Sequence, residues 1–241
     1  MGNYCVKKTN LMNRQIIAQS LIDKFHFETY LEIGVQRAKN FFSVKAKRRI
    51  AVDPVFKIGF TRRIKNLRTF FSDHFFEMTS DDFFQTRAAN LFASKKIDVA
   101  LIDGLHTYEQ VMKDFGNCLA NLSPNGFILF HDCNPITREA AEYAHSPEEI
   151  MEKFPGKSPE WNGDVWKAIA HINAAYPDIE IFVMDCDYGV GVARRKPGAG
   201  GKLNIDPGTI GSLTYDDLEK NRSVYLSLKP VSFWNDYLKT A

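Results

Sequence analysis

Leu31-Glu32-Ile33-Gly34 and Asp98-Val99-Ala100-Leu101-Ile102-Asp103-Gly104-Leu105-His106 decide how this chain is read. In each, an apolar run ends in an acidic residue and a glycine, and amphipathic helical sequence follows. A parallel strand buried on both faces reads as a continuous hydrophobic run instead of an alternating one. Ligands of open α/β sheets sit just beyond the carboxyl ends of such strands. Carboxylates at two strand ends are therefore placed for a polar small molecule rich in hydroxyls.

Outward from these stretches, strand and helix patterns alternate, which argues for βαβ units and a mainly parallel sheet. An opening helix is expected over 11–25. Strands are expected over 29–33, 49–52, 74–78, 98–102 and 126–130. Helices are expected over 38–46, 81–92 and 108–121. The aromatic and basic segment 54–72 lacks clean periodicity and reads as an insertion near the site. Residues 146–163 carry Pro147, Pro155, Gly156, Pro159 and Gly163 and read as a lid-like loop. Asp164 is a good N-cap for a helix running to Ala175. The runs 180–184 and 188–194 are separated only by Asp185-Cys186-Asp187, too short for a parallel crossover, so they form an antiparallel hairpin. The domain is expected to span 1–196, with 1–27 its N-terminal helical part. Residues 197–241 form an aromatic tail, read as docking on the domain or on a second copy of the chain, which would make a homo-oligomer. There is no internal repeat.

The 241 residues are 44% hydrophobic, enough for one sizeable core. A net charge of +2 gives no global basic field, so nucleic acid and anionic membrane are not expected partners. The basic runs Lys45-Ala46-Lys47-Arg48-Arg49 and Arg62-Arg63-Ile64-Lys65 read as solvated surface. Cys5, Cys118, Cys133 and Cys186 lack CxxC spacing and follow no secretory leader, which favours free thiols in a reducing cytoplasm. No stretch reaches the roughly 20 apolar residues of a membrane span.

The strand ends carry the chemistry. Glu32 offers an acceptor, and Gly34 lets backbone pass close to a ligand. Asp53, ending the second strand, is placed to accept both hydroxyls of a ribose. Ser80 or Thr79 suits an N-cap, with Asp81 and Asp82 favouring the helix dipole; the same turn can bond an adenine. Asp103, His106, His131 and Asp132 close two strands expected to be adjacent. Two carboxylates with the amide oxygen of Asn134 suit a hard cation such as Mg²⁺. A histidine suits a general base that takes a proton from a hydroxyl, and His131 could equally be a metal ligand.

Across residues 28 to 195 the order of these motifs resembles the class I S-adenosylmethionine-dependent methyltransferases. The branch is the one containing sugar and macrolide-sugar O-methyltransferases and cephalosporin-hydroxylase-like proteins. The resemblance rests on Tyr30–Val35, Val52-Asp53-Pro54, Met78–Asp81, Leu101–Glu109, Pro124-Asn125-Gly126, Phe130-His131-Asp132 and Trp161–Lys167. It implies an α/β fold, a Rossmann-like three-layer αβα sandwich with a seven-stranded, mostly parallel sheet ending in an antiparallel hairpin. Glu32 and Gly34 would line the methionine and ribose end of S-adenosylmethionine, Asp53 its ribose hydroxyls, and Ser80 with Asp81 its adenine. Asp103, at the cofactor's edge, and Asp132 match the acids that hold a divalent cation in metal-dependent relatives. His106, His131 and Asp132 would then carry the chemistry on a small-molecule or glycan hydroxyl. Two departures stand out: Ala38 replaces the loop's usual second glycine, and Leu105 stands where such enzymes often carry an acid, leaving the base to His106 or His131.

Competing classes make different demands. A nicotinamide-dependent dehydrogenase calls for G-x-G-x-x-G at the first turn, absent here. A nucleic-acid methyltransferase calls for a broader basic surface. A binding protein of the same fold, or a hydroxylase-like relative, would not need the four strand-end residues to converge.

Overall fold

The computed structural model describes residues 12–65, 73–156 and 160–241. In chain order the elements are α1 (Arg14–Phe25), β1 (Thr29–Ile33), a 3₁₀ turn (Phe41–Ser43), β2 (Arg48–Asp53), α2 (Phe60–Lys65), β3 (His74–Glu77), α3 (Ser80–Thr86), α4 (Ala88–Leu91), β4 (Ile97–Ile102), α5 (Tyr108–Asn121), β5 (Leu122–Phe130), α6 (Pro147–Lys153), α7 (Val165–Ala175), β6 (Ile179–Met184), β7 (Val190–Arg195), a second 3₁₀ turn (Pro207–Ser212), α8 (Tyr215–Tyr225) and α9 (Phe233–Thr240).

The sheet order is β3-β2-β1-β4-β5-β7-β6. Strands β1 to β5 pair in parallel, and β7 runs antiparallel to both β5 and β6. The continuous apolar runs follow from burial on both faces. Alternate residues serve opposite cores: Leu31, Ile33, Ile50, Val52, Ala100 and Ile102 face α3, α5 and α7. Tyr30, Ala51, Val99, Leu101, Phe127 and Leu129 face α1 and α9. This is the seven-stranded αβα sandwich with a terminal antiparallel hairpin that the motifs implied.

Several local expectations give way to tertiary structure. No helix spans 38–46, because Ala38 takes φ +54° and only a 3₁₀ turn follows. The expected helix over 81–92 is two short ones that break at Arg87 (φ −121°). Within the expected lid lies α6, capped by Ser146, whose hydroxyl accepts from Glu149 N–H. The first basic run is only partly solvated. Arg49 is buried in β2, 2.7 Å from Asp73, and donates to the carbonyls of Phe41 and Val44. The second basic run falls on α2, where Arg62 donates to the Arg37 carbonyl; the 54–72 segment lies partly, and Cys5 wholly, outside the described residues. The other three cysteines are free and buried. Among the described residues no helix is long and apolar enough to cross a membrane.

The tail packs against its own chain. Val183 N–H donates to Leu226 C=O and Lys229 N–H to Val183 C=O, so the stretch after α8 covers the outer edge of β6, which would otherwise expose unpaired backbone. Phe233 and Tyr237 meet Phe182 edge-on, and Trp234 Nε1 donates to Ser20 Oγ of α1. Trp234 is 1% exposed. Trp234→Ala removes the largest apolar side chain of this contact and is expected to cost about 3–5 kcal/mol, read as a lower urea midpoint. A loss below about 1 kcal/mol would mean that the tail adds little to the fold.

Candidate functional site

Backbone pairing continues one residue past the strands at their carboxyl edge. Gly34 N–H donates to Val52 C=O (2.9 Å), Asp103 N–H to Ile33 C=O (2.9 Å) and His131 N–H to Ile102 C=O (3.1 Å). The residues that end β1, β4 and β5 are therefore held side by side. Gly34 (φ +85°) is required by close packing: a Cβ there would stand 1.9 Å from the Asp103 carbonyl oxygen. The backbone that crowds Gly34 on that side is the chain's own.

The strand-end residues expected to converge do so. Asp103 Oδ1 lies 3.1 Å from His131 Nδ1 and 3.8 Å from His106 Nε2. Asp132 Oδ2 lies 2.8 Å from His131 Nδ1 and 3.4 Å from His106 Nε2. Donor atoms of Asp103, His131 and Asp132 all fall within 4.8 Å of one another, close enough to share one ion. Asp132 has φ +59°, a conformation Asp tolerates better than most residues. Its other oxygen accepts from Asn162 Nδ2 at 2.6 Å. Burial disfavours the charged form of Asp103. His131, His106 and Arg14 outweigh that and hold its carboxyl far below the usual range. Burial likewise opposes charging of His106, but Asp103 and Asp132 raise its pKa.

Two members of the cluster carry no signal in the sequence. Arg14, at the start of α1, places Nη1 2.6 Å from His131 Nε2 and 2.9 Å from Asp187 Oδ2. Asp187, in the β6–β7 turn, also accepts the Arg14 backbone N–H, one of the helix's orphan donors. Burial opposes charging of His131 while its carboxylate neighbours pull its pKa well up. Arg14 can only donate, so the contact is a hydrogen bond in the tautomer that carries the ring hydrogen on Nδ1, beside Asp132. Arg14 Nε, 3.4 Å from Asp103, is buried without a hydrogen bond among the described residues.

The stretch Trp161–Asp164 braces the cluster. The Trp161 carbonyl lies 2.9 Å from His106 Nδ1, and its indole stands over the His106 ring at 4.8 Å. A Cβ at Gly163 (φ +62°) would meet the His106 carbonyl at 1.9 Å. Asp164 precedes α7 without capping it through its side chain, which accepts instead from Tyr108 N–H at the start of α5. Trp166 is a core anchor, stacked on Tyr225. The amide oxygen of Asn134, expected beside the carboxylates, accepts from Arg222 at 2.6 Å.

The remaining site residues line the same edge. Asp53 holds Gln36 N–H (2.7 Å) on one oxygen and Val55 N–H (2.8 Å) on the other. Each oxygen keeps a lone pair for a further donor. Thr79, not Ser80, caps α3. Ser80 and Asp81 instead share Gln110 Nε2, at 3.2 and 3.0 Å. Glu32 is 1% exposed, and its Oε2 accepts from Tyr30 Oη (2.6 Å) and Asn40 Nδ2 (2.8 Å).

Residues 31–133 match the family model described as a methyltransferase domain, the span from β1 to the turn after β5. No curated protein sequence matches the chain. Among solved structures, cofactor-bound Rv0187 from MTB is similar at TM-score 0.52 and 10% identity, over 79% of this chain and 84% of that one. The O-methyltransferase from Bacillus cereus, solved in complex with SAH, gives 0.52 and 14% over 79% and 84%. TomG from Streptomyces achromogenes, an O-methyltransferase of tomaymycin synthesis solved with SAM, gives 0.50 and 10% over 76% and 78%. At such identities the likeness is one of fold.

Glu32 supplies a test of this geometry. Burial lifts its pKa from 4.5 to about 7 against its two hydrogen bonds. Between these values the folded chain keeps a proton that the unfolded chain has released. Stability therefore falls as pH rises through that window, by up to about 3 kcal/mol. Both donors reach Oε2, so the amide of Glu32→Gln can accept the same bonds while staying neutral. The variant is expected to lose this part of the pH dependence in urea unfolding, and parallel wild-type and variant curves would contradict the assignment.

Proposed function

We propose that this chain is a class I methyltransferase, an O-methyltransferase that uses S-adenosylmethionine and a divalent cation on a hydroxyl of a small molecule or glycan. The observation that carries the reading is the convergence of Asp103, His106, His131 and Asp132 at the carboxyl ends of β4 and β5. Each side chain is braced by a further residue. A non-catalytic binding protein of this fold would not require that convergence.

The residues present suit both groups. Asp53, at the tip of β2, retains acceptor capacity for a ribose diol, and Ser80 with Asp81 offers polar atoms for an adenine. Two carboxylates and an imidazole nitrogen suit a divalent cation. S-adenosylmethionine supplies a methyl group on a positively charged sulfur, and the cation lowers the cost of developing alkoxide charge.

The chain's own residues orient the acceptor and take its proton. His106 Nδ1 faces the Trp161 carbonyl, which only accepts, so the neutral ring carries its hydrogen on Nδ1. The Nε2 lone pair then faces the space between Asp103 and Asp132, where a hydroxyl proton can be received. His106 would hold the proton that the hydroxyl releases on methylation. Holding the hydroxyl in line with the methyl is the main work such a site does.

Calorimetric titration with S-adenosylmethionine is expected to show binding, and titration with NAD⁺ none. Asp53→Ala should weaken S-adenosylmethionine binding by about 1.5–3 kcal/mol, the scale of hydrogen bonds to a charged group. Unchanged affinity would remove Asp53 from the cofactor site. Asp132→Ala should abolish any loss of activity on chelation by EDTA, and an equally metal-dependent variant would move the cation elsewhere.

A further inference from the structure

The donors at the head of β4 and β5 are mixed, and the ring contacts fix which nitrogen faces which partner. His131 Nδ1 lies between Asp103 Oδ1 (3.1 Å) and Asp132 Oδ2 (2.8 Å), while Nε2 faces Arg14 Nη1 at 2.6 Å and Asp187 Oδ2 at 3.5 Å. Three carboxylates, Asp103, Asp132 and Asp187, stand against one guanidinium. On the inner face His131 Nδ1 and one oxygen each of Asp103 and Asp132 lie within 4.8 Å of one another, placed to donate to a single cation.

We propose that Asp103, His131 and Asp132 form an imidazole–dicarboxylate centre selective for a transition ion of the Fe²⁺-to-Zn²⁺ range over Mg²⁺, and that loading exchanges Arg14 for Asp187 as the partner of His131 Nε2. The proposal rests on the reading that a cation sits at Asp103 and Asp132, and adds which ion and what moves. Mg²⁺ takes oxygen ligands and dehydrates reluctantly, whereas imidazole nitrogen suits the later first-row ions. His131 offers Nδ1 to the same space as both carboxylates, so nitrogen ligation needs no rebuilding of the backbone.

The second half follows from valence. A neutral ring bound through Nδ1 carries its hydrogen on Nε2. That hydrogen would confront the Arg14 N–H across 2.6 Å, donor against donor, while Asp187 Oδ2 stands ready as acceptor. Ligating histidines commonly donate their outer N–H to a carboxylate in this way. Arg14 keeps Asp187 through its backbone N–H, so only its side chain has to withdraw.

The test compares Co²⁺ and Mg²⁺ by calorimetry in the wild-type chain and in His131→Glu, which replaces the nitrogen by a carboxylate oxygen. The wild type is expected to favour Co²⁺ by a margin that shrinks about tenfold or more in the variant. An equal margin in both proteins overturns the role of His131. Ring-nitrogen NMR of the wild type with Zn²⁺ should show His131 Nε2 protonated; Nε2 remaining unprotonated overturns the exchange with Arg14. Failure of every ion to bind overturns the cation reading itself. S-adenosylmethionine binding, titrated in the same preparations, reports separately on the cofactor reading.

Discussion

Asp103, Asp132 and Asp187 share a small, largely buried space with His106, His131 and Arg14, and the rest of the fold is arranged to permit it. Charges removed from water cost several kcal/mol each unless paired. Here every carboxylate meets a cation or a ring nitrogen within 4 Å. Such pairing tolerates little drift, because Coulomb and hydrogen-bond energies fall quickly with distance. Rigid placement is accordingly supplied by backbone. The ladder bonds of Asp103 and His131 extend the parallel sheet past its strands, and Gly34 gives up its side chain so that the β1 and β4 tips can touch.

The segment before α7 serves the same end. Asn162 holds Asp132, the Trp161 carbonyl orients His106, Gly163 packs on the His106 carbonyl, and Asp164 ties the start of α5. A stretch that reads as part of a lid-like loop in sequence is, at its carboxyl end, a brace for the strand-end side chains. Its Asn162 and Gly163 N–H groups both donate to the Ala140 carbonyl, which fastens the brace to the loop after β5.

How much of this is legible in the sequence depends on the range of the interaction. Strands buried on both faces announce themselves as apolar runs, and α5 follows its 3.6-residue pattern from Tyr108 to Asn121 as expected. The convergence of Asp103, His106, His131 and Asp132 follows once β4 and β5 are neighbours. Helix propensity misleads at Ala38, where the turn after β1 holds both Gln36 (φ +46°) and Ala38 (φ +54°) in the left-handed region. It misleads again at Asp164, whose carboxylate is claimed by another helix. Arg14 and Asp187 stand 173 residues apart, and neither has neighbours that mark it as special. Their meeting depends on where α1 docks, which no local pattern encodes.

That docking links the tail to the site. α1 is fixed at its first turn by Asp187 and in its middle by Trp234, whose indole N–H reaches Ser20. Tyr237, one turn further along α9, donates to Glu180 of β6, which also pairs with Arg194 of β7. The strand pair that ends in the Asp187 turn and the helix that carries Arg14 are thus both held by the last helix of the chain. Six residues separate Arg14 from Ser20, about 9 Å along a helix. A shift of α9 would therefore reach the Arg14 guanidinium through a single rigid element, and the carboxyl-terminal segment belongs to the physical support of the site although it contributes no side chain to it.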